Sequence, residues 1–216
     1  MTTEKNTSNW SRIRPRLKGW SRPALVALLK DLYDASAANR DFVHARFQAH
    51  DDTGEALERY RRKIVEQFFP KRGFGKLKLA EARKAIRDYR KATGNIAGTI
   101  ELMLTYVEQG TAFTLEYGDI DEPFYNSLDS VLHDMVTPLC RDGARLYPRF
   151  RDRIQQLAED ADGIGWGYGD SVGGQVAALE GELGDAGEQA DAAAPTENAR
   201  PEDDPAPQDG DGSGRR

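Results

Sequence analysis

Between Ser21 and Glu159 the apolar residues recur at intervals of three and four, and the runs are broken at Pro, Gly and Asx positions. That pattern predicts seven helices. The first opens at Ser21 with Pro23 in its first turn and stacks Leu25, Leu28, Leu29 and Leu32 on one face. A short second helix carries Phe42, Val43 and Phe47. After a loop at residues 50–54, Leu57, Tyr60, Ile64 and Phe68 define a third, stopped by Pro70. Gly73 and Gly75 precede a fourth with Leu79, Ala82, Ile86 and Tyr89, and Thr93-Gly94-Asn95 turns it back into a fifth, Ile96 to Glu116.

The fifth helix is apolar round most of its circumference, which marks it as central. Asp121-Glu122-Pro123 opens the sixth, with Phe124, Leu128, Val131, Leu132 and Met135 inward. Gly143 separates it from a seventh carrying Tyr147, Phe150, Ile154 and Leu157. No stretch shows sustained period-two alternation, so the fold class is all-α: about seven helices as stacked antiparallel hairpins in one domain. Residues 1–20 read as a basic flexible arm, 21–171 as the helical domain and 172–216 as a low-complexity acidic tail. From about 185 the tail holds no aromatic or large aliphatic side chain and is expected to be disordered.

Charge divides along the chain. The whole carries a formal −6, yet residues 1–160 hold 27 basic against 23 acidic side chains and residues 161–216 hold 3 against 13. Within the body, residues 59–91 carry 13 basic and 3 acidic residues, whereas 95–140 carry 8 acidic and no basic ones. Arg83, Lys84, Arg87, Arg90 and Lys91 share one arc of the fourth helix, a stripe that could meet phosphates or be neutralised by Glu101 and Glu108 of the antiparallel fifth. A single cysteine, Cys140, suits a reducing compartment, and the N-terminal region lacks the apolar core of a signal peptide, so a cytoplasmic location is expected.

Several sets of residues are similar to those of one bacterial family: Asp31-Leu32-Tyr33 with Asn39-Arg40-Asp41-Phe42, Lys78 through Ile86, Tyr106 through Gly110, Glu116 through Asp121 with Phe124 through Leu128, and Ile164-Gly165-Trp166-Gly167. From about Ser21 to Asp170 the chain resembles this uncharacterised family of all-helical proteins, classed as a domain of unknown function. The resemblance implies a helical fold and carries no assigned activity.

Recognisable chemistries fail on spacing. Around Gly75-Lys76 a phosphate-binding loop would need Gly at Pro70 and Ser or Thr at Leu77, and the alternating glycines 163, 165, 167 and 169 place Tyr168 where a dinucleotide fingerprint needs glycine. A calcium loop from Asp119 would put Phe124 at its glycine and Ser130 at its bidentate Glu. His44, His50 and His133 share no helical face, and Cys140 lies two helical turns from His133. No cofactor, metal or catalytic residue is therefore expected.

What remains points to contacts. Tyr117, Asp119, Asp121, Tyr125 and Asn126 concentrate polar and aromatic groups in the joint between the two longest helices. Trp166 and Tyr168 sit on a glycine string, where the simpler expectation is that they staple the C-terminal end onto the bundle. The expected function is that of a non-enzymatic helical domain with a protein partner. The alternatives are a weak binder of nucleic acid or an acidic partner through the fourth-helix stripe and the arginine-rich arm, and an enzyme with a pocket of Glu108, Tyr117, Asp119 and Asp121. No membrane partner is expected.

Overall fold

The structure, a computed structural model, describes residues 10–48 and 54–192, with the backbone alone over 141–144 and 184–192. Among the described residues there are eight α-helices and no strand. They are α1 (Trp10–Lys18), α2 (Arg22–Ala35), α3 (Ala37–Phe47), α4 (Glu55–Phe68), α5 (Leu79–Thr93), α6 (Ile96–Tyr117), α7 (Glu122–Ala161) and α8 (Tyr168–Ala192). With a tighter helical turn at Gln48, the helical segments among the described residues number nine, against the seven expected.

The caps explain why the inner boundaries fall where the pattern puts them. Ser21, Ser36, Asn95 and Asp121 each accept a hydrogen bond from the backbone N–H three residues on, at 3.4, 3.1, 2.9 and 2.9 Å. Gly94 ends α5 in the left-handed conformation at φ 66°, which costs glycine little and any other residue more.

Two expected boundaries move. The arm expected to be flexible contains α1, and the helical region does not stop at 171: α8 continues to Ala192, with Val172, Val176 and Leu179 at 0, 5 and 0% exposure. The backbone is thus helical over the first eight residues of the stretch expected to be disordered from about 185, and residues 193–216 lie outside the described residues.

Helices α4 to α8 form an up-and-down array around α6. The edge-to-face contact of Phe68 with Tyr106 and the reach of Arg61 to Glu101 set α4 parallel to α6. Helix α7 cannot be straight. The Tyr125 ring lies 5.3 Å from that of Tyr168, and a Cβ on Gly169 would lie 2.5 Å from the Ala161 carbonyl oxygen. In a straight helix residues 125 and 161 would stand about 54 Å apart.

The two halves of α7 therefore fold back on each other in the region of Pro138, Gly143 and Pro148, where two prolines cannot donate helical hydrogen bonds. This is the reversal the sequence assigns to Gly143. As a result the connections α4–α5, α6–α7 and α7–α8 all gather at one end of the array. The core runs through its middle, with Tyr60, Ile64, Phe68, Leu104, Tyr106, Phe113, Leu128, Leu132, Phe150 and Ile154 almost wholly buried.

Candidate functional site

The gathered end is built from three short loops. Residues 69–78 follow α4, residues 118–121 follow α6, and residues 162–167 follow α7. Among the described residues two non-glycine residues have positive φ, Leu77 at 48° and Trp166 at 59°, and both lie in these loops. Left-handed backbone costs a side-chain-bearing residue about 1–2 kcal/mol, and such outliers concentrate where surroundings or function hold them.

An aromatic cluster rises from the core to this surface. Phe113 is fully buried; above it the Tyr117 ring lies at 4.7 Å and the Phe74 ring at 5.3 Å, with Tyr117 and Phe74 edge to face at 4.7 Å. Phe74 is 59% exposed and Tyr117 49%, so the two present an apolar outer layer to solvent.

Beside them the Tyr125 phenol, itself buried, joins the loop to the bundle. It donates to the Asp119 carboxylate at 3.0 Å and sits 3.2 Å from the Thr114 hydroxyl and 3.4 Å from the Ile120 amide. Since its proton goes to Asp119, its two lone pairs are left for those two donors. Burial raises the Tyr125 pKa, hydrogen bonds from Thr114 and Ile120 oppose the shift, and Asp119 adds to it. The other oxygen of Asp119 lies near Gly165 of the third loop, where an added Cβ would come within 3.3 Å of it.

Trp166 follows directly and is 61% exposed. The expected staple is therefore Tyr168, 2% exposed, with Trp166 on the surface. The Tyr168 hydroxyl lies 2.7 Å from Thr111, whose own proton goes to the Val107 carbonyl at 3.0 Å, so Tyr168 is the donor.

The seven residues singled out in the sequence thus separate. Tyr117, Asp119, Asn126 and Trp166 face solvent; Tyr125 and Tyr168 are buried supports; and Asp121, although exposed, is occupied in capping α7. Phe74 escaped the sequence reading. Gly73-Phe74-Gly75 repeats the glycine-aromatic-glycine pattern of Gly165-Trp166-Gly167, and that repetition was the available signal.

The carboxylates expected to neutralise the α5 stripe are used elsewhere. Arg153 holds Glu108 bidentately at 2.8 and 2.7 Å and reaches Glu101 at 2.7 Å, while Arg61 reaches Glu101 at 2.9 Å. Glu108 also stands about 13 Å along α6 from Tyr117, so the pocket imagined for an enzyme is not assembled.

On the stripe itself Arg83 donates to Ser130 at 3.3 Å and Lys84 pairs with Asp88 at 2.6 Å, whereas Arg87, Arg90 and Lys91 are exposed. Arg90 and Asp134 line a cleft of about 420 Å³ over Ile100 and Met103. Burial, and then the Glu182 carboxylate, push the Cys140 thiol up to about 11, which leaves it protonated and a poor nucleophile at neutral pH. No protein-family model, curated protein or solved structure matches the chain.

Proposed function

We propose that this protein is a non-enzymatic, cytoplasmic helical domain that binds a protein partner through the end of the bundle where Phe74, Tyr117, Asp119 and Trp166 meet. One observation carries the reading: Trp166 is held in a left-handed backbone conformation while most of its ring remains in solvent. Packing does not account for a strained, exposed tryptophan, whereas interface anchors are typically Trp, Tyr and Arg set on a rigid base. Here the buried Tyr125 phenol holds Asp119 of the loop beside it.

The test is recovery of partners from native extract by the wild type, Trp166→Ala and Tyr117→Ala, with Arg87→Gln as a surface control. A protein recovered by the wild type and the control but lost from both aromatic variants supports the reading. Equal recovery by all four overturns it. A second reading, an acidic or nucleic-acid partner on the α5 stripe, is favoured by the pairing of Glu101 and Glu108 with Arg153 rather than with that stripe. It predicts losses from the Arg87→Gln sample and, for nucleic acid, after nuclease treatment.

A further inference from the structure

The first two helices are amphipathic, and among the described residues nothing buries their apolar side. On α1, Trp10, Ile13 and Leu17 fall within about 60° of arc, and on α2 Leu25, Leu29 and Leu32 do the same. No residue of either helix is buried: Trp10 is 60% exposed, Ile13 49%, Leu29 47% and Leu32 50%, and Trp20 in the turn between them is 47% exposed. Soluble surfaces seldom leave such a run of large apolar side chains in water. Their anchorage to the body is local and made near the end of α2, where Tyr33 bonds His44 at 2.9 Å and Arg40 reaches the Asp34 carbonyl at 3.2 Å.

Charge identifies what covers this face. Helices α1 and α2 with the turn between them carry six basic side chains, Arg12, Arg14, Arg16, Lys18, Arg22 and Lys30, against two acidic ones, Asp31 and Asp34, and Asp34 is paired with Lys30 at the far end of α2. A second copy of the chain would bring two such clusters together, which opposes association through this face. The chain's own residues 193–216 offer six carboxylates but no large apolar side chain, so they could meet the cations and not the leucines. A bilayer surface carrying anionic headgroups supplies both: an acyl boundary for Trp, Ile and Leu, and negative charge for the arginines.

We infer that α1 and α2 form an interfacial anchor that lies on anionic lipid membranes. None of the described helices is long and apolar enough to cross a bilayer, and an anchor in the interface plane needs no such length. With 31% charged residues and no apolar run of bilayer length, the sequence alone leads to an expectation of no membrane partner, which an anchor of this kind would revise.

The experiment uses the full chain with vesicles of phosphatidylcholine alone and of phosphatidylcholine mixed with phosphatidylglycerol. Of three tryptophans in the chain, Trp166→Phe leaves only Trp10 and Trp20 to fluoresce. The expected result is sedimentation with the mixed vesicles only, a blue shift of tryptophan emission on binding, and release by high salt. The double variant Arg12→Gln, Arg14→Gln should weaken binding by about fivefold per charge removed. Leu29→Asp, at an exposed site and checked for unchanged helicity, should abolish the blue shift.

Failure to bind mixed vesicles at low salt, or equal binding to both compositions, overturns the inference. So does a self-associated species in sedimentation equilibrium that Leu29→Asp converts to monomer, since the face would then belong to a second copy.

Discussion

At the scale of single residues, strain and burial separate the exposed candidate side chains from the buried ones that support them. The left-handed backbone at Trp166 is paid for by every non-glycine residue placed there, so Trp166→Gly should be about 1 kcal/mol more stable to urea than Trp166→Ala. With most of the ring exposed, Trp166→Ala itself should stay within about 0.5 kcal/mol of the wild type, far from the loss a staple would cause. Buried phenols set a second, independent expectation. Burial raises Tyr60 and Tyr147 to about 12, with Asp88 adding to the first and Glu180 to the second, and burial likewise raises Tyr168. For an acid with a raised folded pKa the neutral form is favoured by folding. The contribution is whole below the unfolded value near 10 and disappears as pH climbs through 12. Asp41 works in the opposite sense: burial raises it, but Lys63 and Arg59 together outweigh burial and hold it below 3.8, so its stabilisation is present above about pH 4 and lost as pH falls further. Urea midpoints followed across pH should fall at both ends, with the tyrosinate absorbance of the buried phenols appearing only as the alkaline transition proceeds. Absorbance from all eight tyrosines near pH 10 in protein that is still folded would contradict the burial.

At the scale of elements, the helices that were legible in the sequence are those with a strong cap and an undiluted apolar stripe. Ser21, Asn95 and Asp121 announce their helices, and Gly94 ends one. Helix α8 was illegible for a physical reason: Val172, Val176, Leu179 and Leu183 keep helical spacing, but Gly173, Gly174, Gly181 and Gly184 interrupt them, and glycine carries about 1 kcal/mol of helix penalty each. Packing against α7 overrides that penalty, with Asp129 accepting from Ser171 and Gln175 and Glu180 accepting from Tyr147 and Gln155. The candidate site was legible in part. Tyr117, Asp119 and Trp166 stood out, but which aromatic of a glycine string points inward is decided by Thr111 across the bundle, and no local pattern encodes it. Close approach of α6 and α7 is a further element-level device. Gly110 is buried, and a Cβ there would run into the side chain of Leu128, itself wholly buried. Gly110→Ala gains about 1 kcal/mol of helix propensity and loses about 1–3 kcal/mol to overpacking, so net destabilisation is expected. A thermal melt of this variant together with Leu128→Ala would show partial recovery in the double mutant if the clash is the cause.

At the scale of the whole molecule, the array is closed by the last helix and not by the loop before it. The composition of residues 172–216 suggested a dispensable tail, and on that reading a chain ending at Ser171 would keep its stability. The structure reverses the expectation. Val172, Val176 and Leu179 are buried against α7, and each contributes about 1.5–3 kcal/mol by burial, together about 5–9 kcal/mol. That approaches the entire ~5–15 kcal/mol that holds a typical domain folded. Their removal would also uncover the second half of α7, whose Phe150, Ile154 and Leu157 depend on the same packed layer, and would strip Tyr147 and Gln155 of their carboxylate partner. Two truncations therefore bracket the boundary. A chain ending at Ala192 keeps every residue described as buried and should melt within a few degrees of the full length. One ending at Ser171 should lose most of its cooperative transition by circular dichroism. Equal melting of the two would mean that α8 adds nothing to the core and would return the boundary to 171.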